Sequence, residues 1–336
     1  MTRIFHMIKP SPAPKPRYKV YGRKYVADAP ANVAKRILYF AAAGTFSGLF
    51  FFAVNIGQVR FEDFLYAQIS EPLDSIVYAT PAARTKSELE LDAKAAISLR
   101  IGATGRERMI YQKNTDGVLP IASLTKLMTA TVVLETPEIY NLDKQVAISY
   151  AAANQNDVPV FGNLKPGEVY SVRQLLNLML YYSSNDAAAA LAEMIGEDRF
   201  VSSMNSKAAG IGLAKTTFYN PHGLDIADGK ANLSSANDLL ALVKYILKNH
   251  PEIFAFSIQP GPYLTENGIF SLNLWDGQTL TGGKTGYTEL AGGCMISVFE
   301  NAKHRQYINI LLGAVSSESR VIEMQKLINY ANNSAL

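Results

Sequence analysis

Three short stretches place together residue types suited to acyl transfer. Ser123 and Lys126 stand three positions apart, so on a helix they share one face and the lysine amine can reach the serine hydroxyl. An alcohol is a weak nucleophile until a base takes its proton, and lysine is that base only when burial or a neighbouring cation lowers its pKa. The apolar neighbours Leu124, Leu127 and Met128 suit a desolvated amine. Ser183-Ser184-Asn185 adds a hydroxyl that can pass a proton and an amide that can orient Lys126 and bind a substrate carbonyl. The same residues also suit plain helix capping. In Lys284-Thr285-Gly286 a cation and a hydroxyl can hold a carboxylate, and the glycine lets a substrate approach the backbone closely.

Each stretch says little by itself. Ser-x-Asn recurs at Ser203, Ser235 and Ser271, and a lone Lys-Thr-Gly is an ordinary surface turn. Their order along one chain, each in a suitable local context, is what points to a serine nucleophile with a lysine base. Other chemistries fit less well. Cys294 is the only cysteine and sits in the apolar run Cys294–Phe299, which suits packing and excludes an internal disulfide or a zinc site built on several thiolates. No Gly-x-Ser-x-Gly elbow accompanies His222, so that residue reads as a structural hydrogen-bonding group. With no Gly-rich phosphate loop and no His-Glu-x-x-His motif, neither cofactor nor metal is expected.

The elements that must carry these groups follow from the apolar pattern. Ala95–Ile101 and Met109–Gln112 read as strands of a hairpin turning through Gly102 and Gly105. Helices are predicted at Leu124–Leu134, Ser171–Tyr182, Asp186–Ile195 and Ser234–Leu247, which places Ser183-Ser184-Asn185 in a tight helix-to-helix connection. A strand is expected after Gly282-Gly283, then Met295–Phe299, Tyr307–Val315 and a closing helix over 317–333. Strand, helices, then strands implies an α+β domain with one sheet and an inserted helical region.

Residues from about Leu91 onward resemble the low-molecular-mass penicillin-binding proteins, the serine D-alanyl-D-alanine carboxypeptidase family. The resemblance rests on the three motifs and on Pro120–Thr129, Gly167–Leu176 and Asn220-Pro221-His222-Gly223-Leu224-Asp225. It implies a penicillin-binding/β-lactamase-like catalytic domain, with an antiparallel sheet, flanking helices and a helical subdomain. The implied reaction removes D-alanine from peptidoglycan stem peptides through an acyl-enzyme on Ser123, with β-lactam antibiotics as covalent inhibitors. Lys126, Ser183 and Asn185 would assist, Lys284, Thr285, Gly286 and Tyr287 would bind substrate, and the N–H groups of Ser123 and Tyr287 would form the oxyanion hole. About 50 residues follow the last motif, room for closing strands and a helix but not for the extra C-terminal β domain of some members. Three alternatives stay open: a D,D-endopeptidase on cross-linked peptidoglycan, whose leaving residue also bears a carboxylate, a β-lactamase, and a non-catalytic wall-binding protein. The deacylating Glu-x-x-Leu-Asn segment of a β-lactamase is missing, and the full set of catalytic side chains speaks against a scaffold.

Ahead of this domain, residues 1–36 carry nine Lys or Arg against Asp28 alone, and the remaining chain is net acidic. The basic pI of about 8.7 therefore belongs to a tail, and no nucleic-acid partner is expected. Residues 37–57 have no charged side chain and suit a bilayer-spanning helix. A buried core helix or a cleaved signal peptide fits less well, because the run is apolar on every side and the basic tail is long. The expected organisation is a cytoplasmic tail (1–36), a transmembrane helix (37–57), a linker or stalk (58–90) and a peptidase domain (91–336). The positive-inside bias predicts a single-pass inner-membrane protein, N-terminus in, with its catalytic domain on the periplasmic side.

Overall fold

The computed structural model describes residues 89–155, 162–258, 278–301 and 304–334. The tail, the expected spanning segment and all but the end of the stalk lie outside these residues. Ser87–Leu336 forms one compact unit. Among the described residues no helix is long and apolar enough to cross a membrane.

Two apolar faces build the main sheet. Strand β1 (Ala95–Ile101) turns Ile97 and Leu99 into one core and Ala96 into another, the period-two split of a strand buried on both sides. It pairs with β2 (Glu107–Lys113) on one side and with β9 (Gln306–Ala314) on the other. Strands β7 (Gln278–Thr288) and β8 (Gly292–Asn301) complete the antiparallel order β2-β1-β9-β8-β7. The first strand thus lies beside the last, and the inserted middle of the chain must leave and re-enter one sheet. Strand pairs β3 (Leu119–Pro120) with β6 (Leu233–Ser234), and β4 (Gln145–Ala147) with β5 (Val169–Ser171), make two small ribbons.

The helices divide between the faces. Helix α1 (Lys126–Leu134) is buried from Lys126 to Val133, so its flanks are all core. Around it pack α2 (Val172–Tyr181), α3 (Asn185–Glu193), α4 (Glu197–Gly210), α5 (Ala236–Asn249) and α6 (Glu252–Ile258). Helix α7 (Ser317–Asn333) covers the opposite face with Met324, Leu327 and Ile328 against Phe299, Tyr307 and Leu311. Each such side chain buried contributes about 1.5–3 kcal/mol. Glu323 of α7 accepts the backbone N–H of Asp92 at 2.6 Å, which fastens the domain entrance to this helix.

Helices α4 and α6 were not among the predicted elements. Only Phe200, Met204 and Ala208 of α4 reach the core, so its apolar stripe is one residue wide among serines and charges. Strand β7 begins at Gln278 and runs through Gly282-Gly283, where a strand was expected to start only afterwards. The glycines are there for close packing: a Cβ on Gly282 would lie 2.3 Å from Phe254 Cβ.

Candidate active site

Ser123 lies in a 3-10 turn, Ala122–Thr125, that feeds directly into α1. At three residues per turn, positions i and i+3 eclipse, and Lys126 Nζ sits 2.8 Å from Ser123 Oγ. The same nitrogen is 2.7 Å from Asn185 Oδ1 and 2.7 Å from the His222 carbonyl oxygen. Both of those oxygens only accept, so each takes one N–H. A neutral amine then keeps its lone pair for the Ser123 proton. Burial, and after it the charge of Lys284, holds Lys126 well below the ordinary lysine value.

The nucleophile turn is held in an unusual backbone state. Ala122 has φ +46°, a left-handed value that costs a non-glycine residue about 1 kcal/mol or more. Its carbonyl accepts from Thr125 Oγ1 at 2.8 Å, and Gly223 packs so close that a Cβ there would lie 2.0 Å from that oxygen. Asn232 ties the turn from behind, donating to Thr125 Oγ1 at 3.0 Å and to the Asn220 carbonyl at 2.9 Å, while its own carbonyl accepts from Ile121 N at 3.1 Å. Thr129 Oγ1 donates to the Pro221 carbonyl at 2.5 Å. The segment Asn220–Asp225 is therefore the cradle of the Ser123 turn.

Between α2 and α3 the chain turns at Ser183, φ +62°. Ser184 is the cap of α3, accepting from Ala187 N at 3.1 Å and donating to the Gly162 carbonyl at 2.5 Å. Asn185 opens α3 and faces Lys126, whereas the Ser183 hydroxyl accepts from Lys284 Nζ at 2.9 Å. The short connection thus splits its side chains between two lysines.

Lys284 also donates to the Thr285 carbonyl at 2.9 Å. Burial, together with the nearby Arg320 charge, brings its pKa down to about 7. Gly286 is where β7 meets the Ser123 turn: a Cβ there would lie 2.8 Å from Ser123 N and 3.0 Å from Ala122 Cβ. Thr285 is buried and Tyr287 is exposed. Beyond them, Asp225 accepts from Thr288 Oγ1 at 2.8 Å and from Leu290 N at 3.1 Å, joining the cradle to the β7–β8 turn.

All eight residues singled out from the sequence fall in or beside this cleft. His222 enters it by its carbonyl alone. Its buried ring, pushed down to about 3 by burial and by Lys126, stays neutral and accepts from Leu224 N at 3.2 Å. Cys294 is buried with its thiol raised to about 11, as packing requires. Sequence reasoning passed over the His222 carbonyl, Gly223, Asn232 and Arg320. Arg320 Nη1 donates to the Gly286 carbonyl at 2.8 Å, and its Nε is buried with no partner among the described residues. One signal for it was present: a cation in the first turn of a helix opposes the macrodipole and calls for a local reason.

A family model described as D-alanyl-D-alanine carboxypeptidase matches residues 82–316. The D-alanyl-D-alanine carboxypeptidase DacF of Bacillus subtilis is 32% identical over 265 residues, 76% of this chain and 66% of that protein. A D-alanyl-D-alanine endopeptidase of Pseudomonas aeruginosa is 32% identical over 219 residues, 61% of this chain and 66% of that protein. The chain thus spans slightly less than two thirds of either relative. Among solved structures, Penicillin-Binding Protein D2 of Listeria monocytogenes in its ampicillin-bound form superposes with TM-score 0.61 at 32% identity, covering 73% of this chain and 99% of that one. With its α+β sheet and helices, its Ser-x-x-Lys turn and its Lys-Thr-Gly strand meeting in one cleft, the chain belongs to the D-alanyl-D-alanine carboxypeptidase family.

Proposed function

We propose that this protein is a penicillin-sensitive serine D-alanyl-D-alanine carboxypeptidase that trims peptidoglycan stem peptides through an acyl-enzyme on Ser123. The observation that carries this reading is the Lys126 amine, buried and bound at once to Ser123 Oγ, Asn185 Oδ1 and the His222 carbonyl. Lys126 takes the Ser123 proton as Oγ attacks the carbonyl carbon of the penultimate D-alanine. The oxyanion is received by the N–H groups of Ser123 and Tyr287. As the C–N bond breaks, the leaving amine takes the proton that Lys126 accepted from Ser123, passed on through the Ser183 hydroxyl that Lys284 holds at 2.9 Å, and Lys126 is neutral again. Water, deprotonated by Lys126, then opens the ester and returns Ser123 to its hydroxyl form. Lys284 and the Thr285 hydroxyl hold the terminal carboxylate, and Arg320 adds a second cation beside them.

The test is direct. The protein should form a long-lived adduct with a fluorescent penicillin and release D-alanine from a pentapeptide, and Ser123→Ala should lose both while keeping its fold. Continued labelling of that folded variant would move the nucleophile elsewhere. The likeness to a protein named as an endopeptidase favours one second reading, cleavage of cross-linked dimers. Dimer cleavage without D-alanine release from pentapeptides would install it in place of the first.

The reading extends to the whole chain as tail (1–36), spanning helix (37–57), stalk (58–90) and peptidase (91–336), with the cleft outside the cytoplasmic membrane. Its support is the uncharged run Ile37–Gly57 directly behind a tail of charge +8.

A further inference from the structure

At the end of the sheet away from the catalytic cleft, four arginines converge on one hollow of about 590 Å³, lined by Arg100, Arg106, Arg108 and Arg305 with Glu107 and Thr104. Register makes the crowding specific. Arg100 of β1 stands directly across from Arg108 of β2, and like charges directly opposite on antiparallel strands destabilise the pair. Arg106 stands just ahead of β2, where its carbonyl accepts from Gly102 N at 2.9 Å across the hairpin connection, and it lines the same hollow. Tyr307 pairs with Arg100 and packs under α7, which identifies this as the α7 side of the sheet.

Among the described residues, the carboxylates beside Arg100, Arg106 and Arg108 are engaged elsewhere. Glu107, opposite Ile101, is held by Lys244 of α5 at 2.6 Å. Glu300, next to Phe299 on β8, is bound to His304 at 2.7 Å. Arg100, Arg106 and Arg108 have no ion pair or side-chain hydrogen bond to the described residues. With the one carboxylate in the lining engaged by Lys244 and three arginines left without an ion pair among the described residues, an anion from outside would stabilise this hairpin end. Arginine in place of lysine at every one of these positions favours oxygens presented in a fork, as on phosphate.

From these features we infer that the β1–β2 hairpin end, through Arg100, Arg106 and Arg108, binds the phosphate of an anionic lipid headgroup. The choice of lipid over soluble phosphate rests on the membrane-anchored reading above: a domain tethered through residues 37–57 stays beside a lipid surface. By strand spacing the cluster lies about 25 Å from Gly286, since it is five to six residues along the strands and three to four strands across. Docking there would hold the sheet against the membrane while leaving the cleft open to wall peptides.

The experiment uses the full chain reconstituted into phosphatidylcholine vesicles with and without phosphatidylglycerol, read by hydrogen exchange over residues 100–108. Phosphatidylglycerol should protect the hairpin, salt should remove the protection, and Arg106→Gln/Arg108→Gln should weaken it about five-fold for each arginine lost. Arg106→Lys/Arg108→Lys should recover most of it, and penicillin labelling should be the same in all forms. Equal exchange with and without phosphatidylglycerol, or protection unchanged in the Gln variant, overturns the inference. So does protection by inorganic tripolyphosphate without any by the vesicles, which would assign a soluble phosphate ligand instead. Failure of the anchor reading is separately visible, as a chain that does not float with phosphatidylcholine vesicles.

Discussion

At the level of single residues the proposed chemistry turns on Lys126, whose pKa burial and the charge of Lys284 hold well below that of a surface lysine. Two fixed acceptors, Asn185 Oδ1 and the His222 carbonyl, direct its lone pair at Ser123. Lys126→Arg keeps the charge and cannot shed a proton near neutral pH, so penicillin acylation, followed as labelling rate, should fall about 100-fold or more. Lys284 gives a second, pH-dependent expectation. In the free protein its pKa is about 7, so the group is charged below that pH and neutral above it. An anionic substrate prefers the charged form, while Lys126 must be neutral to act. The kcat/KM for a pentapeptide should therefore decline above about pH 7 as Lys284 loses its charge, with the decline carried by KM. Lys284→Ala should flatten that alkaline limb, and a limb that stayed in the variant would belong to another group.

The elements act by bringing four chain segments within contact of one turn. Strand β7 approaches Ser123 only because position 286 has no side chain, and the cradle approaches Ala122 only because position 223 has none. Gly286→Ala would push β7 or the nucleophile turn aside by a few tenths of an ångström to an ångström, since backbone and Ala122 Cβ block the space. Displacement of that size costs on the order of 100-fold in rate. Acylation should fall by about that factor while circular dichroism stays native and the melting temperature drops modestly. An unchanged rate would mean that β7 does not need this approach.

Over the whole molecule, Ser87–Leu336 forms one compact unit, and the proposed anchor lies in the residues before it. The full-length protein should stay in membranes through a high-salt wash and expose residues beyond Gly57 to external protease. Release by salt would reduce the attachment to the basic tail and remove the spanning helix from the account. Within the folded unit β1 pairs with β9 and Glu323 ties residues 92 and 93 to α7, so the domain closes on itself at its own entrance.

Much of this was readable from the chain alone. The motifs marked the cleft because acyl transfer demands particular side chains at short spacings, and the i, i+3 separation of Ser123 and Lys126 is a local property that any helical turn preserves. The strands β1, β8 and β9 and the helices α1, α2, α3, α5 and α7 were legible because their apolar patterns are dense, while the narrow stripe of α4 was not. Tertiary structure alone decided the rest. It placed Asn185, 59 residues from Lys126, and the His222 carbonyl, 96 residues away, on the same amine, and it assigned Ser183 to Lys284. It also put Arg320 behind Gly286 and set Arg100 across from Arg108. Carbonyls carry no sequence signal, and contacts between distant segments depend on sheet register and helix packing. The chemistry was local, but the geometry that lowers a lysine pKa had to be assembled from every part of the domain.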